Sequence, residues 1–193
     1  MSAFGFAVAG GRSRRMVRDK ALLPWGATDL LGHALARLEA VAAEVGILSG
    51  AEARYAERGV PVVVDPVPDL GPLGGLLAAL RAAKGRPVLL LGVDLPLVPP
   101  DLLRHLVDGA AEADAVVPVS PRPEPLCAIY GPACLEPVAR RVEAADLKMT
   151  AFWPDVRVRE LGPGALAAFG DPEILFLNVN DPGDYERALQ LAG

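Results

Sequence analysis

Apolar residues along the chain fall into two alternating kinds of segment, short continuous runs and longer stretches with helical spacing. The short runs predict strands over residues 4–8, 45–48, 60–64, 87–93, 115–118, 126–130, 156–161 and 174–177. The longer stretches predict helices over residues 29–43, 51–58, 76–83, 134–145 and 182–191, and a further helix begins at Pro99-Pro100. The run over 87–93 is the most apolar, which predicts a central strand covered on both faces.

The connections between the predicted strands indicate how they pair. Residues 115–118 and 126–130 are joined by a short, proline-rich stretch, which favours antiparallel pairing, whereas strands separated by helices favour parallel pairing. A chain of 193 residues is long enough for one sizeable core, and no repeat, low-complexity stretch or linker divides it. We therefore predict a single α/β domain over residues 1–193, with a mainly parallel sheet and at least one antiparallel strand.

Charge is distributed unevenly along the chain. Residues 12–20 contain five cations and one acid, a local charge of +4, so the remainder must carry −9 to give the formal net charge of −5. One basic loop in an acidic protein favours a small polyanion such as a nucleotide, and argues against nucleic acid or an anionic membrane as the partner. Apolar residues make up 52% of the chain, which excludes a disordered protein.

Cysteine usage and the lengths of the apolar runs bear on the cellular compartment. Two cysteines, Cys127 and Cys134, are too few for a disulfide framework and are typical of a reduced, intracellular protein. The first apolar run is too short for a signal peptide, and Asp94 interrupts the longest later run. We expect a soluble, cytoplasmic protein.

The first predicted strand leads directly into Gly10 and Gly11, which are followed by the cations of residues 12–20. Glycines leave room for backbone N–H groups to approach a ligand, and the cations favour phosphate. The pattern is neither a dinucleotide-binding G-x-G-x-x-G nor a P-loop, because the required later residues are missing. A solvated basic surface loop is the alternative. Lys20 is the cation that we most expect at the site, and Arg15 is the next.

Two carboxylates follow other predicted strands. Asp94 comes directly after the most apolar run, where an unpaired carboxylate would be costly, so we expect a positive group beside it. A Mg²⁺ ion that bridges nucleotide phosphates would supply that charge, while a helix cap or turn is the alternative. Asp65 follows the run over 60–64 and would either bind a base or ribose or cap a turn. Because the carboxyl ends of parallel strands share one edge of a sheet, Val8, Asp65 and Asp94 should converge there.

The remaining candidate groups are less informative. His33 and His105 lie on predicted helices without a partner at metal-ligand spacing, and Cys127 lies within a predicted strand, so we expect ordinary structural roles. Near the C-terminus, Asn178 and Asn180 follow the last predicted strand and would point the same way if that strand continued. Their amides would offer donors and acceptors to a heterocycle, whereas Asn180 or Asp181 could also cap the last helix.

Taken in order, these motifs resemble those of the molybdenum cofactor guanylyltransferases, within the nucleotidyltransferase fold that includes the sugar-nucleotide pyrophosphorylases. The resemblance covers essentially the whole chain. It rests on Val8-Ala9-Gly10-Gly11 with Ser13, Arg15-Met16 and Asp19-Lys20; on Asp65; on Gly71-Pro72-Leu73-Gly74-Gly75; on Asp94-Leu95-Pro96; on Glu124-Pro125-Leu126; and on Asn178-Val179-Asn180-Asp181-Pro182. This chain has Val17 where the family has glycine after the methionine.

The resemblance implies a three-layer, Rossmann-like fold and GTP as the nucleotide. By the family pattern, GTP is bound by Val8, Ala9, Gly10, Gly11, Lys20, Asp65 and Asp94. Asp94 would also bind Mg²⁺, the expected cofactor, whereas Asn178 and Asn180 would face the pterin of the acceptor, molybdenum-molybdopterin. Gly11, in place of the alanine of cytidylyl-transferring relatives, favours guanine. The sequence leaves open the oligomeric state, Mg²⁺ or Mn²⁺ as the metal, and whether delivery proteins or acceptor molybdoenzymes take part.

These expectations give a reaction in which the terminal phosphate of the acceptor attacks the α-phosphorus of GTP and pyrophosphate leaves. A phosphate with a second pKa of about 6 is already anionic near neutral pH, so no general base is needed. Arg15, Lys20 and Asp94 with its metal would offset the charge that develops in the transition state. The alternatives are a cytidylyl- or sugar-nucleotide transferase of the same fold and a catalytically silent nucleotide- or cofactor-binding protein. We also expect the basic loop to be mobile until phosphate binds, because its like charges repel one another.

Overall fold

Short strands alternate with helices along the chain, as the hydrophobic pattern predicts. The computed structural model describes residues 2–10, 19–65 and 70–192. Its strands are β1 (Phe4–Val8), β2 (Pro24–Trp25), β3 (Thr28–Asp29), β4 (Glu44–Leu48), β5 (Val62–Val63), β6 (Val88–Gly92), β7 (Ala115–Pro118), β8 (Cys127–Tyr130) and β9 (Val158–Leu161). Its helices are α1 (Leu30–Glu39), α2 (Gly71–Ala82), α3 (Pro100–Gly109), α4 (Leu135–Glu143), α5 (Pro163–Leu166), α6 (Pro172–Leu175) and α7 (Pro182–Ala192). Short 3₁₀ helices cover Lys20–Leu22, Ala56–Arg58, Pro132–Cys134 and Trp153–Asp155.

Seven of these strands form one sheet in the order β5-β4-β1-β6-β8-β7-β9, and β2 and β3 form a separate hairpin. Strand β1 pairs in parallel with β4 and β6, and β4 pairs in parallel with β5. Strand β8 pairs antiparallel with both β6 and β7, and β9 is parallel to β7. The prediction of a mainly parallel sheet with an antiparallel strand is therefore confirmed, and the short connection between β7 and β8 joins the antiparallel pair as expected.

Helices cover both faces of the sheet, which gives three layers. Strand β6 shows the reason, because its side chains alternate between two apolar clusters. Leu89 and Leu91 pack with helices α1 and α3 on one face. Val88 and Leu90 pack with α2 and α4 on the other. These four side chains are at most 1% exposed, and burial of each aliphatic side chain contributes about 1.5–3 kcal/mol. The predicted central position of this run is confirmed.

A third apolar cluster joins the hairpin to the end of the chain. It contains Trp25, Leu30 at the start of α1, Val179 and Ala188 of α7. The cluster packs the segment before α7 against the edge of the sheet where β1 and β6 end. A hydrogen bond at the same place, from the Val179 N–H to the Asp94 carbonyl at 2.9 Å, also fixes this segment. Among the described residues, no helix combines the length and the apolarity that crossing a bilayer requires.

The predicted last strand over residues 174–177 is wrong. Asp171 caps this segment as the helix α6, since its carboxylate accepts from the Glu173 N–H at 3.0 Å, and Pro172 occupies the first helical position. Proline there has no N–H to satisfy and its φ suits a helix, so a short apolar run became a helical turn. Residues 177–180 follow without regular structure. Asn178 and Asn180 therefore do not lie on a strand.

Three further segments differ from their predicted form. The helix predicted over residues 76–83 begins earlier, because Gly71–Gly75 forms the first turns of α2, where Gly74 and Gly75 are buried. The predicted helix over 51–58 is reduced to Ala56–Arg58, although it ends as expected at Gly59 in the left-handed conformation (φ +73°). Helix α1 ends at Glu39, although the predicted helix ran to residue 43. The chain turns after the helix, and the Ala43 N–H donates to the Ala3 carbonyl next to β1.

Candidate active site

The carboxyl ends of β1, β5 and β6 lie at one edge of the sheet, as their parallel pairing requires. Strand β1 ends at Val8 and continues into Ala9 and Gly10, and the Val93 N–H after β6 donates to Val8 at 3.2 Å. The Ala9 N–H donates to Leu48, the last residue of β4, at 2.9 Å. In open α/β sheets, ligands bind outside this edge. The predicted convergence of the strand ends is confirmed.

Lys20 and Asp94 meet at this edge although 74 residues separate them. Lys20 Nζ donates to Asp94 Oδ2 at 3.0 Å, and the two side chains are only 16% and 22% exposed. Lys20 is the first residue of the 3₁₀ helix Lys20–Leu22, which Asp19 caps by accepting from the Ala21 N–H at 3.1 Å. The positive group expected beside Asp94 is thus a lysine of the protein itself.

Two residues that are expected to bind the nucleotide, Gly11 and Arg15, lie outside the described residues. Gly11, Arg15 and Val17 all belong to residues 11–18. The expected mobility of the basic loop and the effect of Val17 fall on the same residues and stay predictions.

Packing between two loops requires glycine at position 10. A Cβ atom at this position would lie 3.0 Å from the backbone nitrogen of Gly50 and 3.2 Å from its Cα atom. The loops after β1 and β4 therefore approach each other more closely than side chains would allow. This contact supports the shape of the strand edge, whereas the sequence suggested only close approach by a ligand.

Asp65 follows β5 and presents an acceptor that is not used within the described part of the chain. Its Oδ1 atom is buried and has no hydrogen-bond partner among those residues, and burial raises the pKa of the carboxyl group. The atom faces Gly75 in α2, where a Cβ would lie 3.5 Å from it. A buried acceptor without a partner is costly, so a ligand N–H or O–H at this position would be favourable.

Glu124 adds a further carboxyl group near Asp94, and the sequence indicated it only as part of the motif Glu124-Pro125-Leu126. It lies in the connection before β8, where its N–H donates to Pro118 at 2.9 Å. Burial, together with the charge of Asp94, raises the pKa of Glu124 to about 7. Its position follows from the insertion of β8 next to β6, which the sequence did not show. An acid directly before a buried strand was the signal that could have drawn attention to it.

Arg54 and Tyr55 also reach the site, and nothing in the sequence pointed to them. Both donate to the Asp19 carboxylate, from Arg54 Nη1 at 3.0 Å and from Tyr55 Oη at 2.7 Å. They lie in the stretch that was predicted to be helical. Because the stretch is instead irregular, two side chains adjacent in sequence can reach the same carboxylate.

The segment of Asn178 and Asn180 is held next to Asp94 by the Val179 backbone. Val179 itself is fully buried, Asn178 is partly exposed and Asn180 is exposed. The Asn178 amide donates weakly to Phe176 at 3.4 Å, and the N–H of Asn180 donates to Asp184 of α7 at 3.0 Å. Both amide side chains are thus available at the site edge, although no strand orients them.

The histidines and cysteines have structural surroundings, as expected. His33 Nε2 lies 2.9 Å from the Pro96 carbonyl and so contacts the segment after Asp94. Burial lowers the pKa of the His33 ring. Cys127 is fully buried. In the part of the chain that the structure describes, no group of three or more His, Cys, Asp or Glu side chains could hold a metal ion. The carboxylates of Asp94 and Glu124 are hard oxygen donors, which suit a Mg²⁺-like ion that completes its shell with phosphates and water.

Comparison with known proteins extends these observations. Residues 5–153 match the family model described as the MobA-like NTP transferase domain. A probable molybdenum cofactor guanylyltransferase of Pelotomaculum thermopropionicum is 35% identical over 193 residues, covering 100% of this chain and 94% of that protein. A molybdenum cofactor guanylyltransferase of Cereibacter sphaeroides is 37% identical, covering 99% and 97% of the two chains.

Solved structures show the same fold. The molybdopterin-guanine dinucleotide biosynthesis protein A of Archaeoglobus fulgidus superposes with a TM-score of 0.83 at 23% identity, covering 98% of both chains. A Mycobacterium tuberculosis protein crystallised in complex with manganese superposes with a TM-score of 0.66 at 24% identity, covering 98% of this chain and 99% of that one. The 2-C-methyl-D-erythritol 4-phosphate cytidylyltransferase of Thermus thermophilus gives a TM-score of 0.72 at 20% identity, covering 100% and 99%.

Proposed function

The chain belongs to the family of MobA-like NTP transferases, and we propose that it transfers GMP from GTP to the terminal phosphate of molybdenum-molybdopterin. The products are the guanine dinucleotide form of the cofactor and pyrophosphate. The relatives that share more than a third of its residues over the full length carry the name molybdenum cofactor guanylyltransferase. That similarity supports the substrate pair, and the site geometry supports the chemistry.

The observation that carries the chemistry is the contact between Lys20 and Asp94 at the edge where β1 and β6 end. A lysine ammonium at this edge of the sheet can bind phosphate oxygens, and Asp94 is a carboxylate suited to a divalent cation. The ammonium can exchange its contact with Asp94 for a phosphate oxygen when a nucleotide enters. A cation and a metal-binding carboxylate in contact are the pair that transfer from a nucleoside triphosphate needs.

We assign the other nucleotide contacts by position. The backbone of Val8, Ala9, Gly10 and Gly11 would line the phosphates, with Arg15 as an additional cation. Asp65 would accept from the guanine base, because guanine offers N–H donors and the buried Oδ1 atom lacks a partner in the described chain. Asn178 and Asn180 would contact the pterin, since Val179 holds them next to Asp94.

In this proposal Asp94 holds the metal, and Glu124, whose pKa is raised to about 7, adds negative charge close by when it is ionised. A bound Mg²⁺ ion would offset the charge of the phosphates and of the leaving pyrophosphate. Mn²⁺ is the alternative ion, in view of the manganese complex of the structural relative. Lys20 would stabilise charge on the α-phosphate oxygens, and no residue needs to remove a proton from the acceptor, because its phosphate is already anionic.

The expected cellular compartment and binding partners also form part of the proposal. Two free, buried thiols suit a reducing compartment such as the cytoplasm. The acceptor would reach the site either free or on a delivery protein or molybdoenzyme, and neither nucleic acid nor a membrane is needed as a partner.

The proposal is tested by pyrophosphate release from GTP in the presence of molybdenum-molybdopterin and Mg²⁺. We expect release with GTP but not with CTP, and we expect Lys20→Ala to lower kcat/KM by about 10²- to 10³-fold, the usual effect of losing a group that stabilises transition-state charge. Lys148→Ala is the matched control, because Lys148 is exposed.

Three results would contradict the proposal. Faster release with CTP than with GTP would indicate a cytidylyltransferase. Tight GTP binding without release of pyrophosphate would indicate a silent binding protein. Unchanged turnover by Lys20→Ala would remove Lys20 from the mechanism.

A further inference from the structure

The guanidinium group of Arg54 connects the two chain segments that flank residues 11–18. Its Nη2 atom donates to the Ala9 carbonyl at 3.0 Å and more weakly to the Ser49 carbonyl at 3.4 Å. Its Nη1 atom donates to the Asp19 carboxylate at 3.0 Å. Ala9 lies directly after β1, and Asp19 directly precedes Lys20, so one side chain links the end of β1 to the residue before Lys20.

Asp19 transmits this contact to Lys20. The Oδ2 atom of Asp19 accepts from Arg54 and from Tyr55, while its Oδ1 atom caps the 3₁₀ helix that begins at Lys20. The position of that helix determines where the Lys20 ammonium lies, 3.0 Å from Asp94. We propose that Arg54 is a positioning residue that acts through Asp19 to hold Lys20 at the phosphate site. This inference rests on the function proposed above.

The neighbouring residue Tyr55 supports the contact between Arg54 and Asp19. Tyr55 adopts the left-handed conformation at φ +67°, which is uncommon for a residue with a large side chain. Its side chain is nevertheless almost fully buried, its hydroxyl donates to Asp19, and the Arg54 guanidinium lies 5.0 Å from the ring centroid. Burial and the Asp19 carboxylate raise the pKa of Tyr55, so the phenol keeps the proton that it donates.

Electrostatics favour a positioning role for Arg54 over direct phosphate binding. Both of its terminal nitrogens already donate to protein acceptors, and Asp19 offsets its charge. Without Arg54, the Asp19 carboxylate would lose this partner next to Lys20 and would repel an incoming phosphate. Two effects are therefore expected from its loss, a displaced Lys20 and an additional negative charge.

The first measurement is independent of activity. The chain has three lysines, Lys20, Lys84 and Lys148, so acetylation of each can be followed by mass spectrometry. In wild type, contact with Asp94 should suppress labelling of Lys20. Arg54→Met should raise the labelling rate of Lys20 relative to Lys148 about fivefold, the change expected when a partly buried ion pair is loosened.

Arg86→Met is the matched control. Arg86 makes the same kinds of contact at the opposite end of β4, since it donates to the Ala83 carbonyl at 3.2 Å and to Glu44 at 3.1 Å. Its guanidinium also lies 4.8 Å from the centroid of an aromatic ring, that of Phe4. A loss of stability alone would affect both variants, whereas the labelling of Lys20 relative to Lys148 should change only in Arg54→Met.

The second measurement is steady-state turnover. Arg54→Met should lower kcat/KM for GTP by about 10- to 100-fold, mainly through kcat, because displacement of a catalytic group by about 1 Å has effects of this size. Arg86→Met should stay within twofold of wild type. Adding Asp19→Asn to Arg54→Met removes the unpaired charge but not the displacement, so kcat should not recover.

The proposal is overturned if Arg54→Met labels Lys20 at the wild-type rate relative to Lys148. Full recovery of kcat in the double variant would also overturn it, because charge alone would then explain the effect. Absence of GMP transfer by the wild-type protein would instead contradict the proposed function, and the labelling experiment would still decide the role of Arg54.

Discussion

Gly10→Ala should destabilise the protein and weaken nucleotide binding through one steric contact. The added Cβ atom would lie 3.0 Å from the Gly50 nitrogen, whereas ordinary contacts begin near 3.4 Å. The backbone of Gly50 must therefore move by about 0.4 Å. Gly50 is not free to move, because it adopts φ +77° and its carbonyl accepts from the Asp65 N–H at 2.8 Å. Both Gly10 and Asp65 belong to the proposed nucleotide site.

Two opposing terms give the expected magnitude. Overpacking against the backbone costs about 1–3 kcal/mol, while alanine lowers the entropy of the unfolded chain and returns about 0.4–1 kcal/mol. The net loss in the free energy of unfolding should lie between about 0 and 2.6 kcal/mol, with a central value of about 1.3 kcal/mol. Because the displacement occurs at the exit of β1, the affinity for GTP should fall about tenfold, which corresponds to about 1.4 kcal/mol.

Two other glycines provide matched controls for urea unfolding and calorimetric GTP binding. At Gly46, within β4, a Cβ would lie 2.9 Å from the Pro61 carbonyl oxygen, so Gly46→Ala should also lose stability but should bind GTP normally once folded. At Gly162 the added Cβ meets nothing within 4 Å, so Gly162→Ala should be neutral or slightly stabilising. The reasoning is refuted if Gly10→Ala is as stable as Gly162→Ala, or if it binds GTP as tightly as Gly46→Ala.

Three further predictions concern titratable groups of the metal-free protein. Lys20→Met and Asp94→Asn should show a coupling of about 1 kcal/mol in a double-mutant cycle of unfolding free energies, because the pair is largely buried. Additive effects of the two substitutions would mean that the ion pair does not form in solution. The pKa of Glu124 is raised from 4.5 to about 7 in the folded protein, so the folded state retains a proton that the unfolded state loses and stability should fall as the pH rises through this window. Glu124→Gln should remove this pH dependence and stabilise the protein by about 1–3 kcal/mol at pH 8, and an unchanged profile of urea midpoints against pH would contradict this. Burial raises the thiol pKa of Cys134 to about 12 and raises that of Cys127 further. Neither thiol should therefore react with a disulfide reagent at pH 8 until the protein is unfolded. Rapid reaction of the native protein would show that the core is open.

The sequence predicted best where local periodicity and burial agree. Strand β1 has the predicted bounds, and β6 is the central, fully buried strand that its continuous apolar run indicated. Prediction failed where a cap decided the outcome. The apolar run over 174–177 had the composition of a strand, but Asp171 and Pro172 begin a helix there. Local hydrogen bonding at a short segment outweighed its hydrophobic pattern.

The prediction of the site shows the same division. Gly10, Lys20, Asp65 and Asp94 could be chosen from the sequence, because each follows or faces the end of a strand and parallel strands end at one edge. Glu124 could not be placed beside Asp94, since this depends on β8 being inserted next to β6. Arg54 could not be linked to Asp19 either, because a predicted helix would have directed its side chain elsewhere.

By itself, the sequence determined the α/β class and the order of most elements, and it supplied the groups that we propose for phosphate and metal binding. These follow from periodicity and from residue types, which are local properties of the chain. Tertiary structure alone decided which cation meets Asp94, which further carboxyl lies near it and which side chain links Ala9 to Asp19. These groups are distant in sequence, and they come close only through the order of strands in the sheet and the path of the connecting segments.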